Sequence, residues 1–239
     1  MKPIINNPPE YYLDLLDKNI LFSLIRAGDG EVMCCFPNGW LHINCDGSAF
    51  LPELNVPMRQ IFKNQHPYYH CLLDCSFDLN GDKFKEFLEE TCPDMQFYNG
   101  EIFQELAGNG RIRELIHAIS LHHNPVFVGG SHFENIGMMD SFNKEPVHLQ
   151  VPNKDSFKDI DKIISDISDL VDKGHRMFLF SCGYTSKILI DTLFPFIGNE
   201  CFLLDMGSVF DPFLGILSRD GMKFRGFEYY QPFTKLKLT

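Results

Sequence analysis

The chain has 239 residues, 44% of them hydrophobic, enough to bury a sizeable core, and its length fits one domain over residues 1–239 better than two. Lys and Arg number 21 against 32 Asp and Glu, and the formal charge of −11 repels a phosphate backbone, which argues against a nucleic-acid partner. The opening MKPIINNPPEYYLDLL does not read as a secretory signal, and no apolar run reaches the roughly 20 residues that span a bilayer, so a cytoplasmic protein without a transmembrane segment is expected.

Pro8-Pro9 followed by EYYLDLLDKN reads as a helix started by proline, and NILFSLIR as the first strand. A polar stretch over 38–48 leads to a helical PELNVPMRQIFKN, a buried strand YYHCLLDC and an amphipathic helix DKFKEFLEETC. NGEIFQELAG and RIRELIHAISLHH are two more helices, divided by Gly108-Asn109-Gly110. PVFVGGS and PVHLQVP are strands, SFKDIDKIISDISDLVDKG is a long helix with a glycine stop, RMFLFSCG is a strand feeding the helix TSKILIDTLFPFI, and CFLLDMGS is the last strand. The aromatic tail GFEYYQPFTKLKLT is expected to pack on the core or cover an edge.

Strands and helices alternate, the strands are apolar throughout, and no hairpin dipeptide joins two of them. That pattern predicts an α/β, Rossmann-like fold, a mostly parallel sheet with helices on both faces. The eight cysteines form no Cys-x-x-Cys and lie mostly in apolar runs, where a reduced thiol is a small hydrophobe. His66, His70, Cys71 and Cys75 are accordingly read as core residues rather than as a zinc cluster.

Ligands of open parallel sheets collect beyond the carboxyl ends of strands, where helix N-termini offer free N–H groups to anions. Four turns qualify. In RAGDGE, a glycine between Asp29 and Glu31 lets both carboxylates face one divalent cation, while Gly28 and Gly30 shape the turn and Arg26 clamps a phosphate oxygen. In VGGSHF, Gly129, Gly130 and Ser131 offer backbone N–H groups to a phosphate, and His132 is a donor, acid or base. In SCGYTSK, Ser181 and Gly183 precede a helix whose Lys187 is a point charge for phosphate; Cys182 there is a less favoured nucleophile. In DMGSVFD, Asp205 is a ribose, metal or base carboxylate, Ser208 a ligand contact, and Asp211 a general base. Each turn also has a structural reading. Asp and Gly are ordinary turn residues, and Asp205 with Ser208 can simply cap a helix.

FSLIRAGDGEV resembles the F-S-x-x-R-x-G-D-G-E signature near the N-terminus of the GT-D glycosyltransferases, a family first catalogued as a domain of unknown function. FVGGSH, SCGYTSK and DMG follow in the order of that family's later motifs, so the resemblance extends over most of the chain. It implies a nucleotide-diphosphate sugar donor, with UDP first among the bases, a glycan or glycoconjugate acceptor, and Mn²⁺ or Mg²⁺ at Asp29 and Glu31. Glu31, Asp205 and Asp211 are then the catalytic candidates, with Arg26 serving the donor's charge. Two positions depart from the family. Ser208 stands where members often have a histidine, which makes Asp211 the substitute candidate, and Ala27 replaces an aromatic residue.

Two rival readings remain open. An S-adenosylmethionine methyltransferase also uses a Rossmann-like sheet but needs no paired carboxylates in its first turn. A non-catalytic nucleotide- or sugar-binding module would hold the same ligand without turnover.

Overall fold

The computed structural model describes residues 2–37, 47–138, 142–216 and 218. The tail GFEYYQPFTKLKLT, Cys45 and most of the polar stretch lie outside them. Among the described residues, seven parallel strands form one sheet: β1 (Ser23–Ala27), β2 (Tyr69–Leu72), β3 (Phe97–Asn99), β4 (Pro125–Gly129), β5 (Val147–Gln150), β6 (Met177–Ser181) and β7 (Phe202–Asp205), in the spatial order β3-β2-β1-β7-β6-β4-β5. The fold is therefore the expected Rossmann-like α/β class.

Period-two alternation along buried strands feeds two cores. On one face Ile25, Leu72, Val128, Phe180 and Leu203 pack with α2 (Asp29–Cys35), α3 (Asn55–Asn64), α4 (Gly81–Thr91), α7 (Ile160–Asp172) and α8 (Tyr184–Ile197). On the other, Leu24, Phe127, Leu179 and Leu204 pack with α1 (Pro9–Asp17), α5 (Ile102–Gly108) and α6 (Ile112–Leu121). No helix among the described residues is long and apolar enough to cross a membrane.

Two local expectations are corrected. RAGDGE is not a free turn: Asp29 opens α2, whose N-cap is Gly28 and whose third residue is Glu31. The strand β3 lies in a stretch with no strand expected. It is held from outside by the N-terminal segment, where the Ile5 N–H donates to Phe97 O and the Asn99 N–H to Ile5 O, each at 2.9 Å.

The strand order places the site. The chain leaves β4 toward the edge strand β5 and leaves β6 the other way, toward β7, so a crevice opens beyond the paired ends Gly129 and Ser181. Because β7 inserts between β6 and β1, the turn after β1 joins the same sheet end.

Candidate functional site

A cleft of about 620 Å³ occupies that end, lined by residues from all four glycine turns. A second, of about 630 Å³, opens at the opposite end of the strands, beside Tyr11, Phe22, Tyr69 and Tyr98. Size does not separate the two, but chemistry does. Only the first gathers glycine turns, helix starts and charged side chains.

Its floor is a buried charge cluster. Lys187 Nζ lies 3.0 Å from Glu31 Oε1, 3.1 Å from Asp205 Oδ2 and 3.1 Å from the Gly183 carbonyl oxygen, to which it donates. Glu31 Oε2 accepts the Gly28 N–H at 2.8 Å, the N3 half of a capping box. Burial alone would raise the Glu31 pKa, but the Lys187 charge and the Gly28 N–H hold it below the usual carboxylate range. Burial alone would lower that of Lys187, and Asp205 and Glu31 hold it above the usual amine value.

This cluster revises three assignments. The ammonium of Lys187, expected as a phosphate contact, has three oxygen partners within the protein. Asp205, expected as a base or ribose ligand, is fully buried beneath the cleft; it accepts the Arg26 N–H at 3.1 Å and the Gly207 N–H at 3.2 Å. Glu31, expected to face a cation, has one oxygen on Lys187 and the other on Gly28. Sequence spacing shows residue types, whereas these pairings depend on β7 and α8 lying beside β1.

Arg26 is the unusual wall residue. It is 4% exposed, donates from Nη1 to Gln104 Oε1 and to Gly100 O, and its Nε has no partner among the described residues. The guanidinium pairs with no carboxylate side chain among the described residues, in a cleft that holds Asp29, the Glu31 cluster and Glu101. Gly207, at φ +54°, makes room for it: a Cβ there would lie 2.0 Å from Arg26 Nη2.

Asp29 is the half-buried carboxylate of the same wall, with Oδ1 accepting the Gly30 N–H at 2.9 Å. Among the described residues, no three or more His, Cys, Asp and Glu side chains converge on a metal-sized point. The chemistry still fits a hard divalent cation of the kind that takes one or two carboxylates and fills its shell with substrate phosphate and water. Asp29 is the ligand such an ion would use.

Across the cleft His132 Nε2 stands 3.4 Å from Asp211 Oδ1. The other Asp211 oxygen accepts the Ser218 hydroxyl, and Asp211 is 6% exposed. Gly130 admits a close neighbour, since a Cβ there would meet Asn153 Oδ1 at 2.3 Å; that oxygen accepts the Ser131 N–H at 2.8 Å. Gly129 is tight against Phe133, with a virtual Cβ 2.6 Å from Cδ2, so its part is packing. Ser181 Oγ is buried beside the cleft without a partner among the described residues, and Gly183 and Ser208 line it. Burial pushes the Cys182 thiol up to about 12, opposite to what a nucleophile needs.

Gln104, Asn153 and Ser156 line the cleft although sequence reading did not select them. Asn153 follows β5 in VPNKDS, a strand-end turn open to the same argument as the four chosen. Gln104 sits in a helix with no local signal.

No protein-family model matches the chain, and no curated protein matches it. Solved structures do. One, described as "The highly conserved domain of unknown function 1792 has a distinct glycosyltransferase fold", is 19% identical, with a TM-score of 0.65 over 87% of this chain and 79% of that one. Another, "A New Glycosyltransferase (DUF1792) from Streptococcus sanguinis", is 20% identical, with a TM-score of 0.65 over 87% of this chain and 83% of that one. The chain shares the fold of these domains.

Proposed function

We propose that the chain is a metal-dependent glycosyltransferase that moves a sugar from a nucleotide-diphosphate sugar, UDP-sugars being the first to test, to a glycan or glycoconjugate acceptor. The observation that carries the reading is Arg26, a buried guanidinium with an unpartnered Nε beside an open cleft. A buried cation without a carboxylate partner is costly unless an anion completes it, and a diphosphate is an anion of suitable shape for the guanidinium fork. The shared fold supports the same reading, because one neighbour is described as a glycosyltransferase and the other as having a glycosyltransferase fold.

The chain's own residues divide the work. Arg26 binds and orients the diphosphate, with Gln104 fixing the guanidinium. Asp29 would hold Mn²⁺ or Mg²⁺, which supplies a Lewis acid for the departing phosphate. Glu31, Lys187 and Asp205 act as positioning residues: they fix the start of α2, and so Asp29, against β1, β7 and α8. Gly130, Ser181, Gly183 and Ser208 leave hydrogen-bonding groups on the cleft wall for the rest of the donor, whereas the Ser131 N–H is taken by Asn153 Oδ1.

A thermal-shift screen with UDP, GDP, CDP, dTDP and S-adenosylhomocysteine, each with and without Mn²⁺, tests this, because a ligand of the native state raises apparent stability. One nucleoside diphosphate shifting the transition only with Mn²⁺ is the expected result. A shift from S-adenosylhomocysteine alone points to the methyltransferase, and nucleotide binding without donor turnover to a binding module.

A further inference from the structure

Transfer to a hydroxyl needs a proton acceptor, and the cleft holds an imidazole beside a carboxylate. Asp211 is fixed on every side: its N–H donates to Ser208 O at 3.2 Å, its carbonyl accepts the Ile216 N–H at 2.9 Å, and one carboxylate oxygen takes the Ser218 hydroxyl. The other oxygen is left for His132 Nε2 at 3.4 Å, and the His132 side chain remains 29% exposed at the cleft. In the tautomer that carries the proton on Nε2, the nitrogen beside Asp211, Nδ1 carries the lone pair.

The lateral order of the sheet separates this pair from the phosphate wall. Arg26 and Asp29 belong to β1 and the start of α2, His132 follows β4, and β7 and β6 lie between. At roughly 4.8 Å per strand, the strands that carry the two walls are offset by about 14 Å, room for a sugar ring between leaving group and base.

We infer that His132 is the base that takes the acceptor proton and that transfer inverts the anomeric carbon; the inference rests on the glycosyltransferase reading. The acceptor O–H gives its proton to Nδ1 as its oxygen bonds to C1. The C1–O bond to the diphosphate breaks, and its electron pair leaves with the phosphate beside Arg26. Asp211 stabilises the imidazolium until the proton passes to solvent, and no redox change occurs. A base on the face opposite the leaving group gives inversion, as in inverting glycosidases.

The full chain with Mn²⁺ and α-linked UDP-glucose, UDP-galactose and UDP-N-acetylglucosamine tests this with water as acceptor, the released sugar being followed by NMR before mutarotation. A β-anomer formed first is expected; an α-anomer first overturns inversion and leaves the transferase standing. His132→Ala should cut turnover about 100-fold or more with the UDP·Mn²⁺ thermal shift retained. Undiminished turnover there overturns the base. Should that variant misfold, His132→Gln carries the same expectation. If wild type consumes no donor and binds no nucleotide, the transferase reading falls and this inference with it.

Discussion

At the scale of single residues, Lys187 shows why a charge in a motif is not yet a ligand. In TSKILIDTLFPFI it looks like a point charge one turn into a phosphate-binding helix. Its burial comes from long-range geometry, with Glu31 from α2 and Asp205 from β7 closing on it. Lys187→Met should therefore cost about 3–5 kcal/mol in urea unfolding, because two buried carboxylates lose their cation. A loss confined to donor affinity, with stability intact, would show the amine to be a phosphate ligand after all. The folded-state pKa of Glu31 lies below its reference of 4.5, so its contribution is present above that value and is lost as pH falls through the folded pKa. That of Lys187 lies above its reference of 10.5, so its contribution is present below that value and is lost as pH rises through the folded pKa. Wild-type stability should have acid and alkaline flanks from this pair that Lys187→Met flattens.

Gly207 makes the complementary case, since its importance is invisible in DMGS yet sharp in three dimensions. A methyl group there meets Arg26 Nη2 and must also adopt φ +54°. Gly207→Ala should cost about 1–3 kcal/mol and weaken UDP·Mn²⁺ binding by moving the guanidinium. Isothermal titration giving wild-type affinity would mean that Arg26 does not contact the phosphates.

At the scale of elements, the legible ones carry strong periodicity or strong stops. The helix α7 stopping before Gly174, the division at Gly108-Asn109-Gly110 and the apolar strands β4, β6 and β7 all stand where the sequence puts them. The failures have physical causes. β3 is three residues long, too short to show alternation, and its pairing with β2 and Ile5 is long-range. At the start of α2, Gly28 at the N-cap and Gly30 in the first turn, of low helix propensity, suggest a turn, while burial of Val32, Met33, Cys34 and Cys35 drives the helix. This correction divides Asp29 from Glu31, which the turn reading treats as equals. Asp29→Asn should change stability by no more than about 0.5 kcal/mol and abolish the Mn²⁺-dependent part of the UDP thermal shift. Glu31→Gln should lower stability by about 1–3 kcal/mol, since a buried charge-assisted contact to Lys187 goes, while some Mn²⁺ dependence survives. Equal loss of metal response in both variants, with equal stability, would restore the two-carboxylate site.

At the scale of the molecule, the sequence shows four candidate turns but not their adjacency. Chain order alone does not tell that β7 returns between β6 and β1, and that return is what brings RAGDGE beside SCGYTSK and DMGS. It also makes the sheet two-ended. Charges, glycines and helix starts gather beyond the carboxyl ends, while tyrosines line the cleft of similar volume at the amino ends. Binding at one end should therefore leave the other unchanged, and hydrogen exchange measures this segment by segment. With UDP and Mn²⁺, amides over 28–36, 100–104, 130–132 and 181–184 should slow, because their N–H groups border the cleft or the elements that fix it. Amides over 65–70 and 94–98, beside Tyr69 and Tyr98, should keep their unliganded rates. Protection confined to those latter segments would place the nucleotide at the tyrosine-lined end, and the charged cleft would lose its ligand.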